Sequence, residues 1–401
     1  MSRKRKVIIA ICAALCLMVF AALFAVFREK PAPPVNANIA VASDLHYIAP
    51  GLTDHGEYFQ KVLEHGDGKT MEYCEEITDA FLEQVLEEAP DVLILSGDLT
   101  FNGARQSHEA LAEKLKPLRD AEIPVLVLPG NHDLRNQNAA SFQGDSYTLV
   151  DSIDSGEFAE IYSDFGYNAA LSRDSASLSY VFQLTPELRV LLVDVNTAGS
   201  AGIAAEETLL WVEKQLKAAK RDGCRVLAVS HQNLIAHSKL FGFGYVIANS
   251  SALQELYEKY GVLCNLSGHM HIQHTSKSEA GLRDIATSSL LMYPLQYGRL
   301  TFSGRSASYH AVQVETPYTQ YAHDYHWQHC CSLAEEGGEA DELGRFFAEV
   351  NLAYFAGHVT EELWNDEPYE KLKSTENRSS QYLTSIYEDG FQNHQDFSFD
   401  F

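Results

Sequence analysis

Cationic side chains are scarce in this sequence. Its 401 residues hold 30 Lys and Arg against 55 Asp and Glu, a formal charge of −25. Six of the cations stand within residues 1–30 beside a single acid, so residues 31–401 carry 24 basic against 54 acidic residues, or −30. A surface that acidic repels a polyphosphate backbone, which excludes duplex nucleic acid as a partner and suits a protein that gathers metal cations. Cysteine is sparse beyond the N-terminal segment. Cys74, Cys224, Cys264, Cys330 and Cys331 are odd in number and follow no framework spacing, which excludes a disulfide scaffold. Cys264 lies in an apolar run and reads as a small core residue. Internal repeats and low-complexity tracts are missing too, so no solenoid or array is expected.

What is present is enough apolar material for a large core, 46% of the chain. Residues 7–27, "VIIAICAALCLMVFAALFAVF", form a run of 21 uncharged residues, long enough to cross a hydrocarbon core as a helix. "RKRK" at 3–6 precedes it, which places the N-terminus in the cytoplasm and the body outside. Residues 1–30 therefore read as a single-pass membrane anchor bearing an extracellular protein. A cleaved signal peptide, and hence secretion, is the competing reading. Residues 31–37 form a short proline-bearing spacer.

From 38 to 315, strand-like runs alternate with helical patterns. "NIAVASD", "DVLILSGD", "PVLVLPGN", "RVLAVSH" and "GVLCNLSGH" are short and apolar, and each ends in glycine or a polar residue. Helical spacing appears over 69–88, 104–120 and 204–220. Residues 177–184 with 188–195, and 297–303 with 308–315, read as hairpins. The pattern implies an α/β fold of two mixed sheets packed together with helices outside. Residues 135–176 are polar and irregular with a few helical turns, as a rim or cap would be. Beyond 316 no strand-like run stands out, and 316–401 reads as a helical extension. There Phe347, Val350 and Tyr354 form an apolar stripe that must dock somewhere, with the rim of the first domain the expected place.

The ends of the apolar runs carry the chemistry. They deliver, in chain order, Asp44-Leu45-His46, Gly97-Asp98, Asn131-His132-Asp133, His231, and Gly268-His269-Met270-His271. The C-terminal ends of strands are where open α/β sheets bind ligands. A lone His there is usually a capped core residue, and Gly-Asp is often only a turn. Five ends offering Asp, Asn and His together make a different case. Oxygen and nitrogen donors without thiolate suit Mn, Fe or Zn, and seven ligands are too many for one ion and right for two sharing a carboxylate.

"DLH", "GDLTFNG", "GNHD", "SH" and "GHMH" together resemble the signature of the calcineurin-like metallophosphoesterase superfamily, over roughly 38–315. Within it, "SGDLTFNG", "FGYNAALSRDSASLSY" and "GRLTFS" look most like extracellular bacterial class III cyclic-nucleotide-phosphodiesterase-like enzymes. The resemblance implies a four-layer αββα sandwich with two divalent or trivalent ions (Mn²⁺, Fe or Zn²⁺). It implies Asp44, His46 and His271 on the first ion, Asn131, His231 and His269 on the second, and Asp98 between them. His132 is then catalytic and not a ligand, Asp133 is a candidate to hold its tautomer, and His274 is a bystander. The implied reaction is hydrolysis of a small phosphate ester by a hydroxide held between the ions, with His132 assisting the leaving group. The Arg that phosphoprotein phosphatases carry after Gly-Asp is missing, and the third motif ends in Asp133 instead of Glu. Both departures point from phosphoproteins towards phosphodiesters such as cyclic nucleotides. A nucleotidase or general phosphomonoesterase is the alternative enzyme. An anchored binding module with a vestigial site is the non-enzyme alternative, and it expects a lost ligand where none of the seven is lost. The oligomeric state is not legible. The anchor reading predicts that N-terminal sequencing of the mature protein finds the segment retained; a start near Ala22 would show a cleaved signal.

Overall fold

Strands of Val, Leu and Ile form the centre because each is buried on both faces. In Arg225–Val229, Leu227 and Val229 pack in the core between the two sheets, while Val226 and Ala228 pack beneath outer helices. Alternation by two is what a strand between two apolar layers requires. The computed structural model describes residues 33–197, 202–336, 341–364, 366–374 and 377–401. The expected anchor at 7–27 lies outside them. Among the described residues no helix is long and apolar enough to cross a membrane.

One sheet has six strands, in the spatial order Asp396–Asp400, Ser306–Gln313, Gln296–Gly304, Val35–Ala42, Val92–Leu95 and Val125–Val127. The last three run parallel, and the first three add antiparallel. The other has seven, ordered His274–Lys277, Arg283–Ala286, Asn265–Ser267, Arg225–Val229, Leu188–Leu192, Tyr180–Thr185 and Ser172–Arg173. Both sheets are mixed, as expected. Helices Cys74–Glu88 and Arg105–Asp120 bury Ile77, Phe81, Val85, Leu111 and Leu115 in the same core as the first sheet. Helices Glu206–Asp222 and Ser250–Tyr260 bury Val212, Leu216 and Leu253 against the second. The result is a four-layer αββα sandwich with helices at its C-terminal end.

Two expectations need correction. Residues 396–400 are a strand, not part of a purely helical extension. Asp396, Ser398 and Asp400 alternate with Phe397 and Phe399, and the strand pairs with Ser306–Gln313 at the sheet edge. Its polar flanks hid a period of two. The stretch 135–176, read as irregular with a few helical turns, has such turns in the helix Ser155–Ile161, which starts on a capping box of Asp154 and Glu157, but it also contains an unexpected hairpin, Ala140–Gln143 with Ser146–Leu149.

The stripe of Phe347, Val350 and Tyr354 is buried in a cluster that includes Met270 and Ile272. It therefore packs on the loop that carries His269 and His271. A polar clamp lies beside it. His274 contacts Asp389 at 2.7 Å through Nε2 and His237 at 3.0 Å through Nδ1, and its ring stacks on His394. His394 Nδ1 accepts the Thr275 amide, and Gln273 donates to the His394 carbonyl.

Burial holds His274 and His326 down to about 4 and His108 down to about 3. These imidazoles fold neutral and take up protons on unfolding below their ordinary value, near 6.5. Their stabilisation is therefore complete above pH 6.5 and drains as pH falls towards 4, each at up to about 1.4 kcal/mol per unit. Burial lowers His46 and His269 in the same way, while Asp133, raised to about 6, and Asp194, also raised by burial, act in the opposite sense. Denaturant titrations of the metal-free protein should show stability falling steeply from pH 6.5 to 4; a flat profile would contradict these assignments.

Candidate metal centre

Five strand ends converge at one place. Asp44 and His46 follow Val35–Ala42, Asp98 follows Val92–Leu95, and Asn131 and His132 follow Val125–Val127. From the second sheet, His231 follows Arg225–Val229, and His269 and His271 follow Asn265–Ser267. The sheets face each other, so these ends form a cradle with walls from both. The first two loops are laced by backbone bonds, from the Asp44 amide to the Gly97 carbonyl and from the His46 amide to the Asp98 carbonyl, each 3.0 Å.

The approach is close enough to dictate residue type. A Cβ on Gly268 would lie 1.7 Å from Ser43 Oγ and 2.6 Å from Asp44 Oδ2. A Cβ on Gly130 would lie 2.1 Å from Asp98 Oδ1. Only glycine fits either position. The backbone is also strained where the donors stand. Asp44, His46, Asp98, His269 and His271 have φ of 53°, 42°, 47°, 67° and 59°, left-handed values that non-glycine residues adopt only when their surroundings enforce them.

The donors fall into overlapping groups. Asp44, His46 and His271 bring one atom each within 4.8 Å of one another, as do Asp98, His231 and His269. Asp98 Oδ2 is 3.3 Å from His231 Nε2 and 4.0 Å from His46 Nε2, so it lies between the groups. Asn131 Oδ1 is 3.1 Å from His231 Nε2. His132 also comes within range, in a group with His46 and Asp98. All eight residues singled out in the sequence are thus together. His274 is elsewhere, in the polar clamp.

Ring orientation is fixed from outside. His231 Nδ1 donates to the Ser96 carbonyl at 3.0 Å, leaving Nε2 for the centre. His269 Nε2 donates to the Gly244 carbonyl at 2.9 Å, leaving Nδ1. His271 Nδ1 donates to Asp67 Oδ2 at 2.7 Å, leaving Nε2. Such outer bonds set the tautomer of metal-binding histidines. His132 Nδ1 donates to the Phe101 carbonyl at 2.9 Å, so a carbonyl and not Asp133 holds its tautomer. The Asp133 carboxylate instead accepts from the Gly130, Leu99 and Thr100 amides and the Thr100 hydroxyl, which braces the Asp98 loop.

The charge pattern calls for cations. Burial alone would raise Asp44 and Asp98, but His271 beside the first and His231 beside the second hold both well below the ordinary carboxylate range. Burial lowers His231 and His271, yet Asp98 raises the first to about 9, and Asp67 with Asp44 overcomes burial and Lys69 to raise the second to about 9. Burial, with His231 nearby, lowers His269 to about 4. Buried Asp44 Oδ1 has no hydrogen-bond donor, and His46 Nε2 faces His271 Nε2 at 3.2 Å. Lone pairs aimed inward and one orphaned carboxylate oxygen fit metal ions held by N and O donors.

An αββα sandwich bearing such a centre at its strand ends defines a metallohydrolase. Residues 37–273 match the model of the family described as calcineurin-like phosphoesterase, and the chain belongs to that family. The family is one of two-metal phosphoesterases, so two ions are implied. Over 188 residues the chain is 30% identical to a probable glycerophosphodiester phosphodiesterase of Arcobacter nitrofigilis, covering 46% of this chain and 58% of that protein. A probable cyclic nucleotide phosphodiesterase of Fibrobacter succinogenes is 25% identical over 190 residues, 47% of this chain and 60% of that one. The matches thus span about six-tenths of each relative. A dimetal phosphatase of Danio rerio shares the fold, with a TM-score of 0.52 at 14% identity over 70% of this chain and 96% of that one.

Asp67 was not legible in the sequence. It lies in the loop "GDGK", which carries no motif, and its contact with His271 spans 204 positions. Losing a carboxylate that orients a ligand usually costs about 10–100-fold in metal affinity. Asp67→Ala should lose affinity for one ion by that factor in chelator competition while the other stays bound; unchanged affinity for both would show that Asp67 does not orient His271 for metal.

Proposed function

We propose that the protein is a two-metal phosphodiesterase acting on small phosphodiesters, cyclic nucleotides among them. The observation that carries this reading is the single cradle in which Asp98 stands between two groups of N and O donors. Asp44, His46 and His271 would hold one ion, Asn131, His231 and His269 the other, with Asp98 shared. Mn²⁺, Fe and Zn²⁺ all suit these donors. When bound, such a pair supplies positive charge against the phosphoryl oxygens and a water of low pKa. The names of the curated relatives favour diesters, and the missing phosphatase Arg agrees.

The chain's own contribution to bond breaking centres on His132. Its backbone amide donates to Asp98 Oδ1 at 2.8 Å, and its ring packs edge-on against His46. The Phe101 carbonyl keeps the Nδ1 proton, so exchange occurs at Nε2, which faces Asp98 Oδ2 at 3.9 Å. The side chain is 41% exposed, whereas His46 and His231 are fully buried. Solvent can recharge this nitrogen, and substrate can reach it. Those are the requirements of a residue that gives a proton to a departing oxygen. A phosphomonoesterase would use the same residues, and only the substrate would differ.

Asp98→Ala should lose both ions and essentially all turnover; a variant that kept two tightly bound ions would refute the shared-ligand role. His132→Ala should keep both ions by metal analysis and lose about 10²–10⁴-fold in rate on a nucleotide diester, the usual size for acid catalysis. On a nitrophenyl ester, whose leaving group needs no proton, the loss should be clearly smaller. Equal losses would assign His132 to charge stabilisation instead.

A further inference from the structure

A cleft of about 940 Å³ opens beside the metal centre, and it is built largely by the C-terminal helices. At one end it reaches residues that contact the histidines of the centre. Asp67, which holds His271, lines it, and so does Tyr245, whose ring lies 5.5 Å from that of His269. Met270 and Ile272, on either side of His271 in sequence, belong to the same wall. Phe347 and Phe355 of the helix Asp341–Ala356 face them, and Leu240 and Leu333 stand at the mouth, 46% and 42% exposed. The wall is otherwise largely buried, and apolar side chains left open to water, as Leu240 and Leu333 are, are costly unless a ligand covers them.

Two of the polar residues that line this cleft, Asn351 and Tyr382, are paired with each other. Asn351 is buried, but its amide nitrogen donates to Cys330 Sγ at 3.0 Å and its oxygen accepts from the Tyr382 hydroxyl at 2.5 Å. Asn351 and Tyr382 are therefore engaged with each other. Arg378 and Gln381 are exposed at the rim.

We propose that this cleft binds an apolar ester group of the substrate, an alkyl chain of several carbons, while the phosphate sits at the metal centre. The proposal rests on the phosphoesterase reading and narrows its substrate class to phosphodiesters bearing one long hydrocarbon group.

The test uses the full-length, Mn²⁺-loaded protein and a series of 4-nitrophenyl alkyl phosphates from methyl to octyl. Each buried methylene is worth about fourfold, so kcat/KM should rise severalfold per added carbon until the cleft is filled. Leu333→Glu, at the exposed mouth and away from the metal centre, should leave the methyl ester within about twofold and flatten the trend. Calorimetry with alkylphosphonates of the same lengths reads the cleft without turnover. A binding affinity independent of chain length, or a chain-length gain that Leu333→Glu leaves intact, would overturn the proposal. Absence of turnover on every ester alongside a chain-length gain in binding that Leu333→Glu abolishes would refute the phosphoesterase reading and uphold the cleft.

Discussion

Burying negative charge is the constraint around which this molecule is arranged. Asp44 and Asp98 are essentially inaccessible to water, and each stands beside imidazoles at hydrogen-bonding or ion-pair range. A buried carboxylate is tolerated only when opposite charge or donors surround it. Here ordinary hydrogen bonds do not suffice, because Asp44 Oδ1 receives none and its imidazole neighbour, His271 Nε2, stands 3.4 Å away. The rest follows: five strand ends aimed at one point, glycines where a Cβ would collide, and left-handed backbone at five of the donors. Each of these costs stability locally, and the two-sheet core around them supplies the rigidity that enforces them.

The second layer divides the labour among the imidazoles. Carbonyls of Ser96, Gly244 and Phe101 take one ring proton each from His231, His269 and His132, while Asp67 takes that of His271. The carboxylate partner makes His271 a stronger donor than a carbonyl would. His132 has the same kind of anchor as His231 and His269, but its side chain is 41% exposed where those of His46 and His231 are fully buried.

The sequence made the donors legible because each closes a short apolar run, and runs of that kind become buried strands whose C-terminal ends bind ligands. Asp67, the Phe101 carbonyl and the bracing role of Asp133 were not legible, because they depend on contacts between distant segments or on backbone groups that every residue type offers. Asp133 in particular looked like a partner for its neighbour His132, yet adjacent residues in a tight loop point apart, and its carboxylate turned to the Leu99–Thr100 backbone. The strand at 396–400 escaped notice because charged flanks outweigh two phenylalanines, although an edge strand tolerates such flanks well.

The clamp of His274, Asp389 and His394 has a consequence for biosynthesis. The loop that carries His269 and His271 leaves the ribosome early, but the Gln273 side chain meets the His394 carbonyl only after a separation of 121 positions. His274 waits 115 positions for Asp389. During that interval the loop has its ligands but not its brace, and contacts of such separation are the slow ones to form. A nascent chain therefore lacks this brace on the loop of His269 and His271 until residue 394 has been made and its helices have packed.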